Sequence, residues 1–175
     1  HCAVDKTKCE ICMRFGDKIP YKDVTIVPGV GNSANAANAA ARLGLSAALV
    51  TNLGDDSYAE EATKALEANG VHTDFVEKNG GMRTNYHFVL LFDAERTILV
   101  KHEEYDYAMP DIGEPRWIYL SSLAQNSLPF HAALADYLDA HPGPKFVFQP
   151  GTYQIRFGRE KLKCIYGRAD LFFCN

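Results

Sequence analysis

Short apolar runs alternate with stretches of helical period along the first part of the chain. The β-branched run Asp23–Val27 predicts a strand that ends at Pro28, and a run of small residues predicts a helix from Ser33 to Leu43. The largely apolar run Ala47–Gly54 is typical of a strand that is buried on both faces of a parallel sheet. This order of strand, helix and strand favours a layered α/β fold.

Two further helices follow the same reasoning. One is predicted over residues 55–70, and its apolar stripe consists of Tyr58, Ala62, Ala65 and Leu66. The other is predicted over residues 128–143, and its apolar face consists of Phe130, Leu134, Tyr137 and Leu138. The apolar runs at residues 117–123, 145–151 and 169–175 predict three more strands of the parallel sheet.

Residues 83–105 interrupt this order with two strand-like runs that are joined by Asp93, Ala94 and Glu95. Such a pattern predicts an antiparallel hairpin outside the main sheet. Because side chains alternate along a strand, Asn85 and His87 are predicted on one face of the hairpin, with Tyr86 and Phe88 on the other.

Composition narrows the class of protein. A net charge of −4 and a pI near 5.8 speak against nucleic acid or an anionic membrane as the main partner. No apolar run approaches the roughly 20 residues that a membrane span requires, and the charged N-terminal stretch has no apolar signal core. We therefore expect a cytoplasmic protein of one domain, without nucleic-acid or membrane partners.

The five cysteines are Cys2, Cys9, Cys12, Cys164 and Cys174, of which Cys9 and Cys12 form a C-x-x-C pair. A structural zinc site needs four ligands, and no second pair is present in the sequence. We therefore interpret the cysteines as reduced thiols without a metal, with a zinc site or redox chemistry as alternatives.

The stretch PGVGNSANAANAAARLG, residues 28–44, places glycines and asparagines directly before a helix of small side chains. Small side chains allow close approach of a backbone or a ligand, and neutral amides suit a ligand with several hydroxyl groups. Alternatives are a phosphate-cradling loop or a purely structural turn, because a G-x-G pattern alone is weak evidence.

These elements resemble the ribokinase-like (PfkB-type) carbohydrate kinase family. GVGNSANAANAAARLGL is similar to the family's first signature, a Gly-Gly-x-x-x-Asn loop that leads into an Ala-rich helix ending Arg-Leu-Gly. LVTNLGDDSYAEEATKALEANGVHTDFV resembles the next block, and RTNYHFVLLFDAERTILV lies where the family places its lid strands. WIYLSSL and DLFFCN match later central strands, so the ordered set covers the chain from about Phe15 onward.

The resemblance implies a mostly parallel central sheet flanked by helices, with residues 83–102 as an antiparallel β-hairpin lid. It implies ATP-dependent, magnesium-dependent phosphorylation of a sugar or nucleoside hydroxyl. Residues 1–175 are then a partial domain that supplies the substrate-binding half, because the family's later Asn-x-x-Glu and Gly-x-Gly-Asp motifs are absent and Asn175 is the residue that begins the first of them. We expect no ATP turnover by this chain alone, and the alternative is a non-catalytic binding or assembly module.

Val30 departs from the family pattern, since it replaces the first glycine of the Gly-Gly pair, and we expect a change in the detail of the loop. No catalytic residue or metal ligand is assigned.

Because exposed strand edges need covering and family members often pair their lids, the hairpin predicts a homodimer. His72, His102, His131 and His141 are interpreted as surface residues, and Gln154 is a further candidate for contact with substrate or phosphate. The candidate substrate-binding residues are Gly31, Asn32, Asn35, Asn85, His87 and Gln149, with Asn175 on the nucleotide side.

Overall fold

The computed structural model describes residues 12–174, which form a mixed α/β fold. The helices are α1 Asn32–Arg42, α2 Ser57–Ala68, α3 Leu128–Ala140, α4 Thr152–Lys161 and α5 Lys163–Arg168. The strands are β1 Ala47–Ala48, β2 Thr51–Leu53, β3 Val71–His72, β4 Val76–Lys78, β5 His87–Phe92, β6 Glu95–Val100, β7 Trp117–Leu120, β8 Lys145–Phe148 and β9 Leu171–Phe172. No helix within this described part is long and apolar enough to cross a bilayer.

The strands pair in parallel except in the hairpin. β1 pairs with β3, β2 pairs with β4, and β8 lies between β7 and β9, all in parallel. β5 and β6 pair antiparallel from His87 opposite Val100 to Phe92 opposite Glu95, so that Asp93 and Ala94 form the turn. Asp93 has a φ of 55°, a left-handed conformation that aspartate tolerates better than most residues. The predicted α/β class and the antiparallel hairpin are confirmed.

Two apolar cores lie under the helices. The larger one packs α3 and α5 against β7 and β8, and its buried members are Leu120, Phe130, Leu134, Ala135, Leu138, Phe146, Phe148, Leu162 and Ile165. The smaller one joins α1 and α2 to β1 and β3, and its buried members are Ala34, Ala37, Leu49, Leu66 and Val71. The alanines of α1 therefore serve close packing of this helix, as their small size predicts.

Two strand predictions are wrong in detail. Residues 23–27 form no strand, and Val24, Ile26 and Val27 are exposed. Their β-branched side chains favour extended backbone, but no strand of the described chain lies beside them to complete a ladder. The run Ala47–Gly54 forms two short strands instead of one, because β1 and β2 pair with different partners.

Two predicted helix faces also need correction. Tyr58 is 45% exposed, and Ala59 is buried in its place on the inner face of α2. His131, predicted at the surface, is 1% exposed in α3. Its Nδ1 lies 2.6 Å from the carbonyl oxygen of Ser127, and this bond satisfies one ring nitrogen inside the core.

Four elements were not predicted, namely β3, β4, α4 and α5. α4 replaces the Pro-Gly turn and solvated tail that were weighed for residues 148–158, and Gln154 is its one buried residue. Cys2 and Cys9 lie outside the described residues, so the C-x-x-C prediction cannot be placed. Cys12, Cys164 and Cys174 are exposed free thiols.

Candidate functional site

The loop before α1 takes its shape from two glycines. Gly29 has a φ of 65° and Gly31 a φ of 135°, in the region that L side chains rarely adopt. Val30 lies between them outside that region, which explains how the loop accommodates a β-branched residue. Gly31 begins α1 without a side-chain cap, and its carbonyl accepts the N–H of Asn35 at 2.7 Å. The amide of Asn38 donates to the Gly29 carbonyl at 3.3 Å and holds the loop from inside the helix.

The beginning of α1 contacts the residues that follow β7. Asn32 Nδ2 donates to Ser122 Oγ at 3.1 Å. The hydroxyls of Ser33 and Ser121 lie 2.6 Å apart, and Ser121 is buried. Ser121 and Ser122 directly follow the carboxyl end of a parallel strand, the place where open α/β sheets bind their ligands.

The end of β8 lies against the same serines. A Cβ on Gly151 would be 2.1 Å from Ser122 Cβ, so only glycine allows this approach. The side-chain oxygen of Gln149 accepts the Tyr119 hydroxyl, and its backbone N–H donates to Leu120 at 2.9 Å. Burial raises the pKa of Tyr119, which keeps the hydroxyl protonated as a donor.

Gln154 is not available to a ligand. Its side chain is 0% exposed, its oxygen accepts the Gly151 N–H at 3.2 Å, and its Nε2 donates to the Leu123 carbonyl at 3.3 Å. These bonds fix the turn between β8 and α4, so the prediction that Gln154 contacts substrate or phosphate is corrected to a structural role.

The base of the hairpin carries the other predicted residues. Asn85 Oδ1 accepts the N–H of Glu103 at 2.6 Å, and His87 Nδ1 accepts the N–H of Lys101 at 3.3 Å. The ring of His87 lies 5.6 Å from that of His102, which lies 5.8 Å from Tyr153 at the start of α4. Burial, and then the neighbouring His87, hold the pKa of His102 below its usual range, which favours a neutral ring.

The structure thus brings Gly31, Asn32 and Gln149 to one edge through Ser122 and Gly151. Asn85 and His87 lie at the hairpin base, which reaches α4 through the His102 and Tyr153 rings. Asn35 is exposed one helical turn into α1, and Asn175 lies outside the described residues. Sequence reasoning missed five residues that connect these parts, namely Ser121, Ser122, Gly151, His102 and Tyr153. A polar pair or a glycine directly after a buried strand is a signal that could have found the first three.

Between residues 12 and 174, no three or more His, Cys, Asp or Glu side chains converge into an all-protein metal site. Magnesium is usually held by one or two carboxylates together with substrate phosphates and waters, and no such ligand is assigned here. We therefore derive no step through a metal or a nucleotide from this part of the chain.

The chain is similar to known kinases in sequence and in structure. Ribokinase of Bacillus subtilis (strain 168) is 39% identical over 87 residues, which are 50% of this chain and 29% of that protein. Ribokinase from Cryptococcus neoformans var. grubii serotype A, solved in complex with ADP, has a TM-score of 0.60 at 25% identity, with 86% of this chain and 49% of that chain covered.

Fructokinase from Vibrio cholerae O395, solved with fructose, ADP and calcium ion bound, has a TM-score of 0.62 at 18% identity. This match covers 81% of this chain and 51% of that one, and it supports the fold alone. The chain thus spans about half the length of these two solved structures. Its match to the Bacillus ribokinase covers 29% of that protein.

A family model for pfkB family carbohydrate kinases matches residues 5–175, which is almost the whole chain. The matched range includes the glycine loop, the hairpin and the serines after β7. The chain belongs to the pfkB family of carbohydrate kinases.

Proposed function

We propose that this chain forms the substrate-binding part of a kinase that transfers phosphate from ATP to a hydroxyl of a sugar or nucleoside. Family membership supports the kinase class. The observation that carries the proposal is the seating of the glycine loop, through Asn32 and Ser33, on the serines that follow β7. Ligands of parallel α/β sheets bind at this edge.

The chemistry of the edge suits a neutral polyol. Gly31 leaves room for close approach, and nothing lies within 4 Å of a Cβ placed there. Asn35 is exposed on the first turn of α1, where a free amide offers both a donor and an acceptor to hydroxyl groups. We assign Gly31, Asn32 and Asn35 to the floor of the site, with Gln149 at its side.

The hairpin covers the site as a lid in this proposal. Asn85 and His87 share one face of the hairpin, and the ring of His87 packs on His102, which in turn packs on Tyr153 of α4. Residues 83–102 belong to the same partial domain, 1–175, as the rest of the chain. The cytoplasmic location and the pairing of two chains through the hairpin stay predictions.

ATP and Mg²⁺ enter the proposal through the family. The solved relatives include a kinase bound to ATP and kinases bound to ADP, one of them with calcium. In such enzymes a divalent ion and positive charge neutralise the transferred phosphoryl group. We keep Asn175 as the residue proposed for the nucleotide side.

Substitution of Asn35 tests the floor of the site. Isothermal titration calorimetry with D-ribose, D-fructose and adenosine is expected to find a ligand, and Asn35→Ala to weaken its binding about fivefold, since one hydrogen bond to a neutral hydroxyl contributes on the order of 1 kcal/mol. Ala39→Asn, an exposed change one turn further along the same helix face, serves as the control and leaves affinity unchanged. Equal affinity of Asn35→Ala and the unaltered chain would contradict the assignment.

A non-catalytic module that binds the substrate is the second candidate, because the contacts at the edge of the sheet serve substrate binding and none is assigned to phosphoryl transfer. Both candidates predict sugar binding without ADP release by this chain alone, so the assay is made on the full-length protein. Sugar-dependent release of ADP there supports the kinase, whereas sugar binding without ADP release supports a binding module.

A further inference from the structure

The hairpin leaves the body of the molecule at a point where two backbones touch. Gly54 directly follows β2 and is buried. A Cβ on Gly54 would lie 2.5 Å from the carbonyl carbon of Arg83, and equally close to Met82 O and Thr84 N. The first leg of the hairpin is thus pressed against the end of β2 with no intervening side chain.

The carboxylate of Asp56 binds the first leg of the hairpin, the segment 83–92, through Thr84. The Thr84 N–H donates to Asp56 Oδ2 at 2.9 Å, and the Thr84 hydroxyl donates to Asp56 Oδ1 at 2.6 Å. The same hydroxyl oxygen accepts the N–H of Gly54 at 3.0 Å, while Asp56 Oδ1 also accepts the N–H of Ala59 and caps α2. Thr84 is 4% exposed and its bond from Gly54 is buried, whereas the bonds to Asp56 are half-buried.

The protonation state of the carboxylate agrees with this role. Burial raises the pKa of Asp56, but the hydrogen bonds from Thr84 and Ala59 outweigh it and leave the pKa below its usual range. The carboxylate is therefore ionised near neutral pH and accepts charge-assisted hydrogen bonds, which are stronger than those between neutral groups.

The return leg of the hairpin is tied to the first leg just beyond this point. The buried Tyr105 donates its hydroxyl to the Arg83 carbonyl at 2.6 Å, and the Glu103 N–H donates to Asn85 Oδ1 at 2.6 Å. From His87 to Val100, by contrast, the side chains are exposed apart from the half-buried Leu90. The orientation of the whole hairpin is thus fixed at its base.

We propose that Asp56 and Thr84 are positioning residues, a latch that joins β2, α2 and the hairpin and sets the angle at which the hairpin stands over the sugar site. The covering of a sugar rests on the proposed function, whereas the latch itself does not. The threonine hydroxyl is its centre, because it accepts from one element and donates to another at the same time.

Limited digestion with trypsin measures the latch without any substrate. The bond after Arg83 has its carbonyl held by Tyr105 and its N–H held by Asp56, and the bond after Lys101 lies on the return leg. Thr84→Val, which removes the hydroxyl but keeps the size, is expected to accelerate cleavage at both bonds about tenfold, because proteolysis follows the population of the open form. Cleavage after Lys161 in α4 is the internal reference.

Thr84→Ser is the matched rescue, because serine keeps the hydroxyl and loses only a methyl group. It is expected to be cleaved within about twofold of the unaltered rate. Equal acceleration of cleavage in Thr84→Ser and Thr84→Val would overturn the proposal. Faster cleavage of Thr84→Val after Arg83 alone would overturn it too, since that result means that the bonds at residue 84 open locally while the rest of the hairpin stays in place.

A second variant covers the case in which Thr84→Val does not fold. Asp56→Asn keeps a residue that caps α2 well and weakens the acceptor for Thr84, so it is expected to accelerate both cleavages. The control is Asp170→Asn, which removes another carboxylate that accepts a backbone N–H, from Phe146 at 2.8 Å, far along the chain from the hairpin. Equal cleavage of the hairpin in these two variants contradicts the latch.

Sugar titration then separates the two proposals. If the unaltered chain binds D-ribose or D-fructose, Thr84→Val weakens that binding about threefold or more and Thr84→Ser does not. If it binds neither sugar, nor adenosine, the proposed function fails, and the digestion result still decides whether the latch holds the hairpin.

Discussion

His131 is a titratable ring inside the core between α3 and the neighbouring helices. The bond to the Ser127 carbonyl at 2.6 Å assigns the ring proton to Nδ1, and Nε2 has no partner within the described residues. Burial lowers the pKa of His131, although the bond to Ser127 opposes this. Charging the ring inside the core therefore costs free energy that the unfolded chain avoids.

The sign of the resulting pH dependence follows from the lowered pKa. Below the ordinary histidine pKa of about 6.5 the unfolded chain takes up a proton that the folded chain resists, so the free energy of unfolding falls as the pH drops from 7 to 5. His131→Asn keeps a donor for Ser127 and is expected to reduce this slope in urea titrations at several pH values. The control is His141→Asn, because His141 makes the same bond to the Tyr137 carbonyl four residues back but is only half-buried. A wild-type slope in His131→Asn would contradict the prediction.

The wrong prediction for His131 shows that the spacing of histidines in the sequence does not decide whether a side chain is buried. Its distance in the sequence from the other histidines suggested a surface position, but His131 stands between Phe130 and Ala132 on the inner side of α3. A histidine is tolerated there because the helix itself supplies the acceptor for its N–H.

At the scale of elements, the turn between β8 and α4 depends on the absence of a side chain at Gly151. Gly151→Ala would place its Cβ 2.1 Å from Ser122 Cβ, and both atoms are close to rigid backbone. We expect a loss of about 1–3 kcal/mol in the free energy of unfolding, as for other overpacked sites. Thermal or urea denaturation measures it.

Two variants make the Gly151 test specific. Gly143→Ala is the control, because nothing lies within 4 Å of a Cβ there. Ser122→Gly removes the clashing carbon, so the double variant with Gly151→Ala should recover part of the loss, a coupling that a double-mutant cycle detects. If the two changes had additive effects on the free energy of unfolding, the close contact between Gly151 and Ser122 would be contradicted.

Periodicity predicted the elements that bury a regular stripe. α2 and α3 bury apolar residues at helical spacing and were predicted with bounds close to those observed, whereas α1 was predicted from its run of small residues and the hairpin from two strand-like runs whose side chains are mostly exposed. α4 was missed because only Gln154 is buried in it, so no apolar stripe exists to detect. The strand predicted at residues 23–27 failed for the opposite reason, since suitable side chains alone do not supply a pairing strand.

At the scale of the whole molecule, the candidate site depends on contacts between distant parts of the chain. Asn32 and Ser122 are 90 residues apart in sequence, and Gly54 meets Thr84 across 30. No local pattern predicts such pairs. The resemblance to a family supplied the glycine loop and the lid as candidates, whereas the serines after β7 and the latch at Asp56 required three-dimensional structure.

The hairpin carries a group of apolar side chains that stay exposed. In the antiparallel register Val89 lies opposite Ile98, and Phe88 lies opposite Leu99, so both faces of the hairpin are apolar. These side chains are 43–59% exposed, and Leu91 near the turn is 77% exposed. Exposed apolar patches and uncovered strand edges mark interaction surfaces.

We therefore predict that two copies of the chain pair through their hairpins. Sedimentation velocity at micromolar concentration is expected to show a dimer, and Leu91→Lys to shift it to monomer, because a buried ammonium group opposes association. Ile155→Lys introduces the same charge at a residue of α4 that is 64% exposed, and the dimer should persist. A monomer of the unaltered chain would contradict the prediction, whereas loss of the dimer in Ile155→Lys would place the interface on α4. The result bears on the proposed sugar site, because a hairpin that pairs through one face would leave the other face for the proposed lid role.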